Sequence, residues 1–255
     1  GLREKIGLLA EQIEKSLDMD GLLKLAGNEE NGLPGAFFSE KLTAEGRNEK
    51  EEIQETVIAV ARDEAFCFYY QENLSLMERL GAKLVYFSPL RDKSLPEADG
   101  YLFGGGYPEN LAAELAANTS MLLSVREAHR RKIPILAECG GFLYLHRLLE
   151  GADGRQYPMA GLIDAEGFST DRLSRFGYIT LTGTGGQQIR GHEFHYWDST
   201  NNGTDAKALK PDGKRSWECV HMQQNLFAGF PHLYFYSNPK VAKRFVEACR
   251  TYRSK

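Results

Sequence analysis

Apolar positions recur at helical spacing near the start of the chain: Ile6, Leu9, Ile13 and Leu17, then Leu22, Leu23 and Leu25. One long helix over residues 2–26 fits, and so do two, because Asp18–Gly21 can end one and cap another. Ala26–Glu52 is rich in Gly, Asn, Glu and Lys, with Phe37, Phe38 and Leu42 as its apolar anchors, and reads as a linker. The pattern then changes. Val57–Ala61 is a compact apolar run suited to a buried strand, followed by the polar loop Arg62–Phe66. A helix is expected from about Tyr70 to Leu80, ending at Gly81, with strands at Lys83–Phe87 and Gly100–Phe103. Helical segments follow Gly104-Gly105-Gly106-Tyr107-Pro108-Glu109 as far as about Arg131, and Ile133–Ala137 is another buried strand. This alternation predicts an α/β fold, a mostly parallel central sheet with helices on both faces.

The texture changes again after Gly151. Arg175–Thr182 and Gln188–Trp197 alternate like antiparallel strands joined by a turn at Gly183–Gly186. A polar loop is expected over Asp198–Arg215, strands at Trp217–Val220 and Leu233–Tyr236, and a last helix from Asn238-Pro239 with Val241, Phe245, Val246, Ala248 and Cys249 inward.

Within the predicted sheet one junction carries chemistry. Ile133–Ala137 runs into Cys139, Gly140 and Gly141, and a helical apolar pattern (Phe142, Leu143, Leu145, Leu148, Leu149) follows at once. A reactive residue between strand and helix is the nucleophile-elbow arrangement. A thiol at a helix N-terminus is expected to have a lowered pKa; the bland alternative is a buried structural cysteine. Ligand sites of parallel sheets lie beyond the C-terminal strand ends, where Cys139, the triple glycine and Arg62–Phe66 all fall. Backbone N–H groups of Gly105 and Gly106, with that of Gly140, can hold an oxyanion, or the glycines simply make a tight turn.

Thiolate chemistry needs a base. Of the six histidines, His129 and His146 fall in helical runs and read as packing or surface residues, and His221 is undecided. His232, between a turn and a strand about ninety residues after Cys139, can reach the sulfur and shuttle a proton, or it is an edge histidine with no partner. In Arg190-Gly191-His192-Glu193-Phe194-His195-Tyr196, strand geometry puts Glu193 and His195 on one face and His192 and Tyr196 on the other. Glu193 with His195 can orient substrate or base, or form a solvated pair. The histidines are three apart rather than spaced as HExxH, so no metal site is assigned.

Charge and composition narrow the partners. A net charge of −4 offers no electrostatic footprint for nucleic acid, and no apolar run is long enough for a membrane span. Cys67, Cys139, Cys219 and Cys249 lack CxxC spacing, which leaves a reduced, cytoplasmic protein as the expectation. The chain begins Gly-Leu-Arg, without Met or signal peptide, and is expected to be a piece of a longer protein.

With these stretches assembled, the chain resembles the glutamine amidotransferase domain of the cobyrinic acid a,c-diamide synthase family. The resemblance rests on Val60–Tyr70 with Asn73-Leu74, Phe103–Glu109, Ala137–Gly141, Gly191–Tyr196, and His232 ahead of Ser237-Asn238-Pro239, and it spans about residues 57–250. It implies a flavodoxin-like class I glutamine amidotransferase fold at 53–255. Residues 1–52 would be the linker helix and connector from a missing ATP-binding domain. Cys139 would attack the side-chain amide of glutamine to give a thioester, with His232 as base and acid. Gly105, Gly106, Gly140, Glu193 and His195 would bind substrate or its oxyanion. The released ammonia would pass to the missing domain, where ATP and Mg²⁺ serve to amidate acetate side chains of a corrinoid. No cofactor is implied for the glutaminase domain itself, and a homodimer is left open.

Two departures from the wider class I pattern stand out. Cys-x-Gly-x-Gln has Leu143 in its last place, and His-x-Glu has become His232-Leu233-Tyr234, so the histidine lacks its usual carboxylate. Glu193 or the missing domain is expected to substitute. No G-x-x-x-x-G-K-[ST] occurs in the 255 residues, which places ATP chemistry elsewhere. The alternatives are a catalytically quiet partner domain of the same fold, the amidotransferase half for a related tetrapyrrole, and a cysteine hydrolase acting on another amide.

Overall fold

The computed structural model describes residues 2–27, 55–170, 172–223 and 225–254. The chain forms two compact units, Gly1–Glu51 and Glu52–Lys255. The first contains α1 (Leu2–Ser16) and α2 (Met19–Gly27). Two helices form rather than one because Asp18 ends the first and accepts the Gly21 N–H at 2.9 Å, capping the second. The expected linker over 26–52 overlaps the end of α2 and otherwise lies outside the described residues, as does the boundary expected at 52/53.

The second unit begins with β1 (Thr56–Ala61), α3 (Gln71–Arg79), β2 (Ala82–Phe87) and β3 (Gly100–Phe103). A 3-10 turn at Pro108–Leu111 leads to α4 (Ala112–Ala117), α5 (Thr119–Arg130), β4 (Ile135–Glu138) and α6 (Gly140–Tyr144). Six strands follow: β5 (His146–Glu150), β6 (Gln156–Pro158), β7 (Ile163–Ser169), β8 (Arg175–Gly183), β9 (Gln188–His195) and β10 (Trp197–Ser199). Then come β11 (Ala206–Leu209), β12 (Ser216–Cys219), β13 (His221–Gln223), β14 (Leu226–Gly229), β15 (His232–Leu233) and α7 (Pro239–Arg253).

The central sheet has the order β13-β14-β4-β3-β1-β2. Its pairings are parallel except that of β13 with β14. Alternation along β1 shows why both faces are covered. Ile58 and Val60 pack with Leu74 and Met77 of α3 and Val246 of α7, while Ala59 and Ala61 belong to the opposite core with Met121 and Val125 of α5 and Phe142 of α6. Burying an aliphatic side chain contributes about 1.5–3 kcal/mol, so this two-sided pattern holds β1, β3 and β4 in the middle of the sheet.

Two smaller sheets extend the unit, β10-β7-β5-β6 and β12-β11-β8-β9-β15. They account for the differences from the sequence pattern. The helix expected to run through Leu149 stops at Tyr144, and His146–Glu150 forms β5, paired with β6 and β7. His146 therefore lies in a strand, and of the two expected readings it is the packing residue and not the surface one. It is fully buried, with Nδ1 2.8 Å from the Phe142 carbonyl and Nε2 2.7 Å from Ser199 Oγ. The expected loop over 198–215 contains β11, whose Ala206 and Ala208 turn inward between β8 and β12. The strand expected over Leu233–Tyr236 shortens to β15, since Phe235–Ser237 turns into a 3-10 helix.

Candidate active site

Strand β4 ends at Glu138, and Cys139 takes φ 49° and ψ −103° before α6 begins. A non-glycine residue in this region carries about 1–3 kcal/mol of strain. It is held by backbone bonds on both sides: Cys139 N–H donates to Gly229 O at 2.8 Å, and Leu143 N–H donates to Cys139 O at 3.0 Å. Gly141 is required by close approach, because a Cβ there would drive into the Phe103 carbonyl. Gly141 N–H donates to Gly104 O at 2.9 Å, which ties the elbow to the triple glycine after β3. A Cβ on Gly140 would lie 3.0 Å from Gly106 N, so Gly106 and Gly140 face each other beside the cysteine.

His232 reaches this edge on β15, which pairs antiparallel with β9 (His232 opposite His192). Asn73 at the start of α3 clamps that short strand: its Nδ2 donates to Leu233 O at 2.7 Å and its Oδ1 accepts Phe235 N–H at 2.9 Å. The His232 ring stacks on His192 with centroids 4.8 Å apart, meets Phe68 edge-on, and covers Gly105, where a Cβ would fall within 3.3 Å of both ring nitrogens. Tyr70 holds His192 through a 2.8 Å bond between its hydroxyl and Nδ1. Tyr69 braces the glycine loop, its hydroxyl donating to Ala61 O and accepting Gly104 N–H.

The residue before Cys139 completes the arrangement. Glu138 is buried, its Oε1 accepts Leu233 N–H at 3.2 Å, and its Oε2 lies 3.9 Å from His232 Nδ1. That nitrogen is buried with no hydrogen-bond partner among the described residues, a state that costs about 1–3 kcal/mol.

The electrostatics reverse one expectation. Burial raises the pKa of the Cys139 thiol well above that of a free cysteine, and the carboxylates of Glu109, Glu193 and Glu138 raise it further; the Gly140 N–H alone works the other way. A five-residue helix does not outweigh them, so the thiol is held protonated rather than activated. Burial pushes His232 down to about 3, helped by His192 and His195, and pushes Glu138 up to about 8 against the pull of the Leu233 N–H. Glu109, in the turn after the glycines, rises to about 7, again through burial. A protonated thiol and a neutral imidazole at one sheet edge can together perform base-assisted nucleophilic attack.

Glu193 and His195 form a separate assembly. Glu193 is fully buried, with Oε2 3.0 Å from His195 Nε2, Oε1 accepting Trp217 Nε1–H at 3.1 Å, and Arg175 Nη1 at 3.8 Å. His195 Nδ1–H donates to Trp197 O at 2.6 Å, and its ring stacks on Phe230 at 3.8 Å. The bonds of Glu193 thus go to these groups and not to His232; it acts on Cys139 only as a nearby charge. Of the remaining histidines, His129 sits half-buried in α5 near Asn225, and His221 Nε2–H donates to Asn201 O at 3.0 Å.

Sequence reasoning singled out Cys139, His232, Gly105, Gly106 and Gly140, which the fold gathers at one edge. It gave no role to Glu138, Glu109, Asn73 or Tyr69. One signal was present for Glu138, a carboxylate closing an otherwise aliphatic buried strand. Among the described residues, no three His, Cys, Asp or Glu side chains converge to hold a metal, and no helix is long and apolar enough to cross a membrane.

Comparison with known proteins places the fold and the family. The chain aligns with a glutamine amidotransferase of known structure at a TM-score of 0.54 and 18% identity, over 75% of this chain and 98% of the other. It aligns with a GMP synthase-type protein of Thermoplasma acidophilum at 0.50 and 18%, over 79% and 97%. At that identity the likeness establishes the class I glutamine amidotransferase fold. In sequence it is 40% identical over 253 residues to a cobyrinate a,c-diamide synthase of Fusobacterium nucleatum, covering 94% of this chain and 55% of that one. A synthase of the same name from Salmonella typhimurium is 38% identical over 252 residues, with 94% and 53% covered. The chain therefore spans about half the length of the curated relatives it matches. Residues 57–240 match the model of the CobB/CobQ-like glutamine amidotransferase domain, and the chain belongs to that family.

Proposed function

We propose that this chain is the glutaminase part of an ATP-dependent amidotransferase of the cobyrinate a,c-diamide synthase kind. The observation that carries the reading is a buried His232 that covers Gly105 and lies 3.9 Å from Glu138, the residue before the strained, buried Cys139. His232 takes the thiol proton as sulfur attacks the glutamine side-chain carbonyl, and the N–H groups of Gly106 and Gly140 face the developing oxyanion. Collapse breaks the carbon–nitrogen bond, the imidazolium returns its proton to the leaving nitrogen, and ammonia departs. Water then attacks the thioester, with His232 again as base, and releases glutamate. Ammonia is consumed in the part of the longer protein that this chain does not span, where ATP and Mg²⁺ would supply activation of a corrinoid carboxylate.

A quiet partner domain is the second reading, favoured by the protonated thiol and by Leu143 in place of a glutamine-binding side chain. Treatment with a chloroketone analogue of glutamine, followed by peptide mass spectrometry, separates the two. An adduct on Cys139, with Cys139→Ser abolishing glutamate release but sparing ammonia-driven synthesis by the full-length protein, is the expected result. No adduct, or glutamine turnover persisting in Cys139→Ser, overturns the glutaminase assignment.

A further inference from the structure

The histidine of this site lacks the carboxylate two residues on that the wider class supplies, because Tyr234 stands there. Glu193 does not replace it, being committed to His195, Trp217 and Arg175. One carboxylate does face the free nitrogen. Glu138 Oε2 lies 3.9 Å from His232 Nδ1, both side chains are buried, and Nδ1 has no other partner among the described residues. The other oxygen, Oε1, is fixed by the N–H of Leu233, the neighbour of His232 on β15. The carboxylate is thus anchored to the strand that carries the imidazole, and a shift of about 1 Å closes the remaining gap to hydrogen-bond distance. Catalytic hydrogen bonds are often long before substrate binds and tighten in the complex.

We propose that Glu138 is the positioning carboxylate of the His232 base, supplied from the residue before the nucleophile. With substrate bound, Oε2 accepts Nδ1–H, which leaves Nε2 unprotonated and able to take the thiol proton. The Cys139 S–H bond breaks, the proton moves to Nε2, and the electron pair stays on sulfur for attack. The ionised carboxylate then stabilises the imidazolium until its proton is given to the leaving nitrogen. In the wider class the same role falls to a residue C-terminal to the histidine; here nucleophile and orienting group are consecutive in sequence. This inference rests on the glutaminase reading.

The pH dependence follows from one proton. A protonated Glu138 would donate to Nδ1 and place the imidazole proton on Nε2, where it cannot act as base. The other titratable groups around the pair are His192 and His195 from β9, Tyr69 and Tyr70 ahead of α3, and Cys139, Glu109 and Glu193. Burial lowers His192 and raises both tyrosines, so each of these three stays neutral around pH 8.

The test compares wild type, Glu138→Gln and Glu138→Asp in the full-length protein. The readouts are glutamate release and the rate of Cys139 alkylation by the glutamine chloroketone between pH 6 and 10. Gln keeps the acceptor for Leu233 N–H, so a loss is not a lost backbone bond, and thermal unfolding checks that each variant folds. Wild type is expected to show a rising limb near pH 8, where Glu138 loses its proton. Glu138→Gln is expected to lower kcat on the order of a hundredfold or more, with KM little changed and that limb gone. Glu138→Asp is expected to restore part of both. A folded Glu138→Gln with wild-type kcat, or with reduced kcat but the limb intact, overturns the assignment while leaving the glutaminase reading standing. Failure of wild type to form the adduct removes both.

Discussion

Two buried carboxylate–imidazole pairs lie within this small region, and they are built to opposite standards. Glu193 and His195 are bonded at 3.0 Å, Trp217 and Trp197 take a further hydrogen bond each, Arg175 Nη1 lies 3.8 Å from the carboxylate, and Phe230 is stacked on the ring. Glu138 and His232 stand 3.9 Å apart, and one ring nitrogen is left without a partner among the described residues. Satisfied networks rigidify a fold. An orphaned buried nitrogen calls for an explanation, and a catalytic role is one. The difference separates a pair closed on its neighbours from a pair that, under the proposed function, is kept ready for a proton.

Three substitutions press on that contrast. The largest effect is expected from His232→Ala, which removes the proposed base and should lower glutamate release by about 10²–10⁴-fold; a steady-state glutaminase assay checks it, and a loss below tenfold would erase the distinction. Next is His195→Ala. It strands Glu193 in the interior and should cost about 3–5 kcal/mol in denaturant unfolding, whereas a cost below about 1 kcal/mol would show the tight pair to be ornamental. The smallest effect, taken per pH unit, belongs to Glu138→Gln, read as stability against pH. Glu138 has a pKa raised to about 8, so its protonated form favours the fold below the ordinary carboxyl range, and that contribution drains away as pH climbs towards 8. Relative to wild type the variant should gain stability across pH 5–8, by at most about 1.4 kcal/mol per pH unit. A difference that stays flat with pH would mean that Glu138 is ionised throughout.

The sequence showed the sheet best where one residue type dominated. Val57–Ala61 and Gly100–Phe103 are buried on both faces and could hardly be anything but central strands. The segment after the elbow misled because Leu145, Leu148 and Leu149 satisfy a helical period, while their actual register is set by pairing with β7, whose sequence lies further along. Strand β14 (Leu-Phe-Ala-Gly) carries no β-branched residue and was invisible, although its Gly229 carbonyl fixes the backbone of Cys139. The thiol's pKa was misjudged for a similar reason. Local sequence displays a helix terminus, whereas burial and the carboxylates of Glu109 and Glu193 arrive only with the folded chain. Glu138 could be read as part of a motif but not as a partner, since the strand it grips begins more than ninety positions later.

The turn from Gly229 to His232 has a consequence of its own. Its first residue grips the backbone of Cys139 and its last one is His232, the proposed base. The separation of the two proposed reacting groups is therefore metered by three peptide links rather than by the whole scaffold. Lengthening that turn by a single residue should leave both sheets standing and the reaction silent.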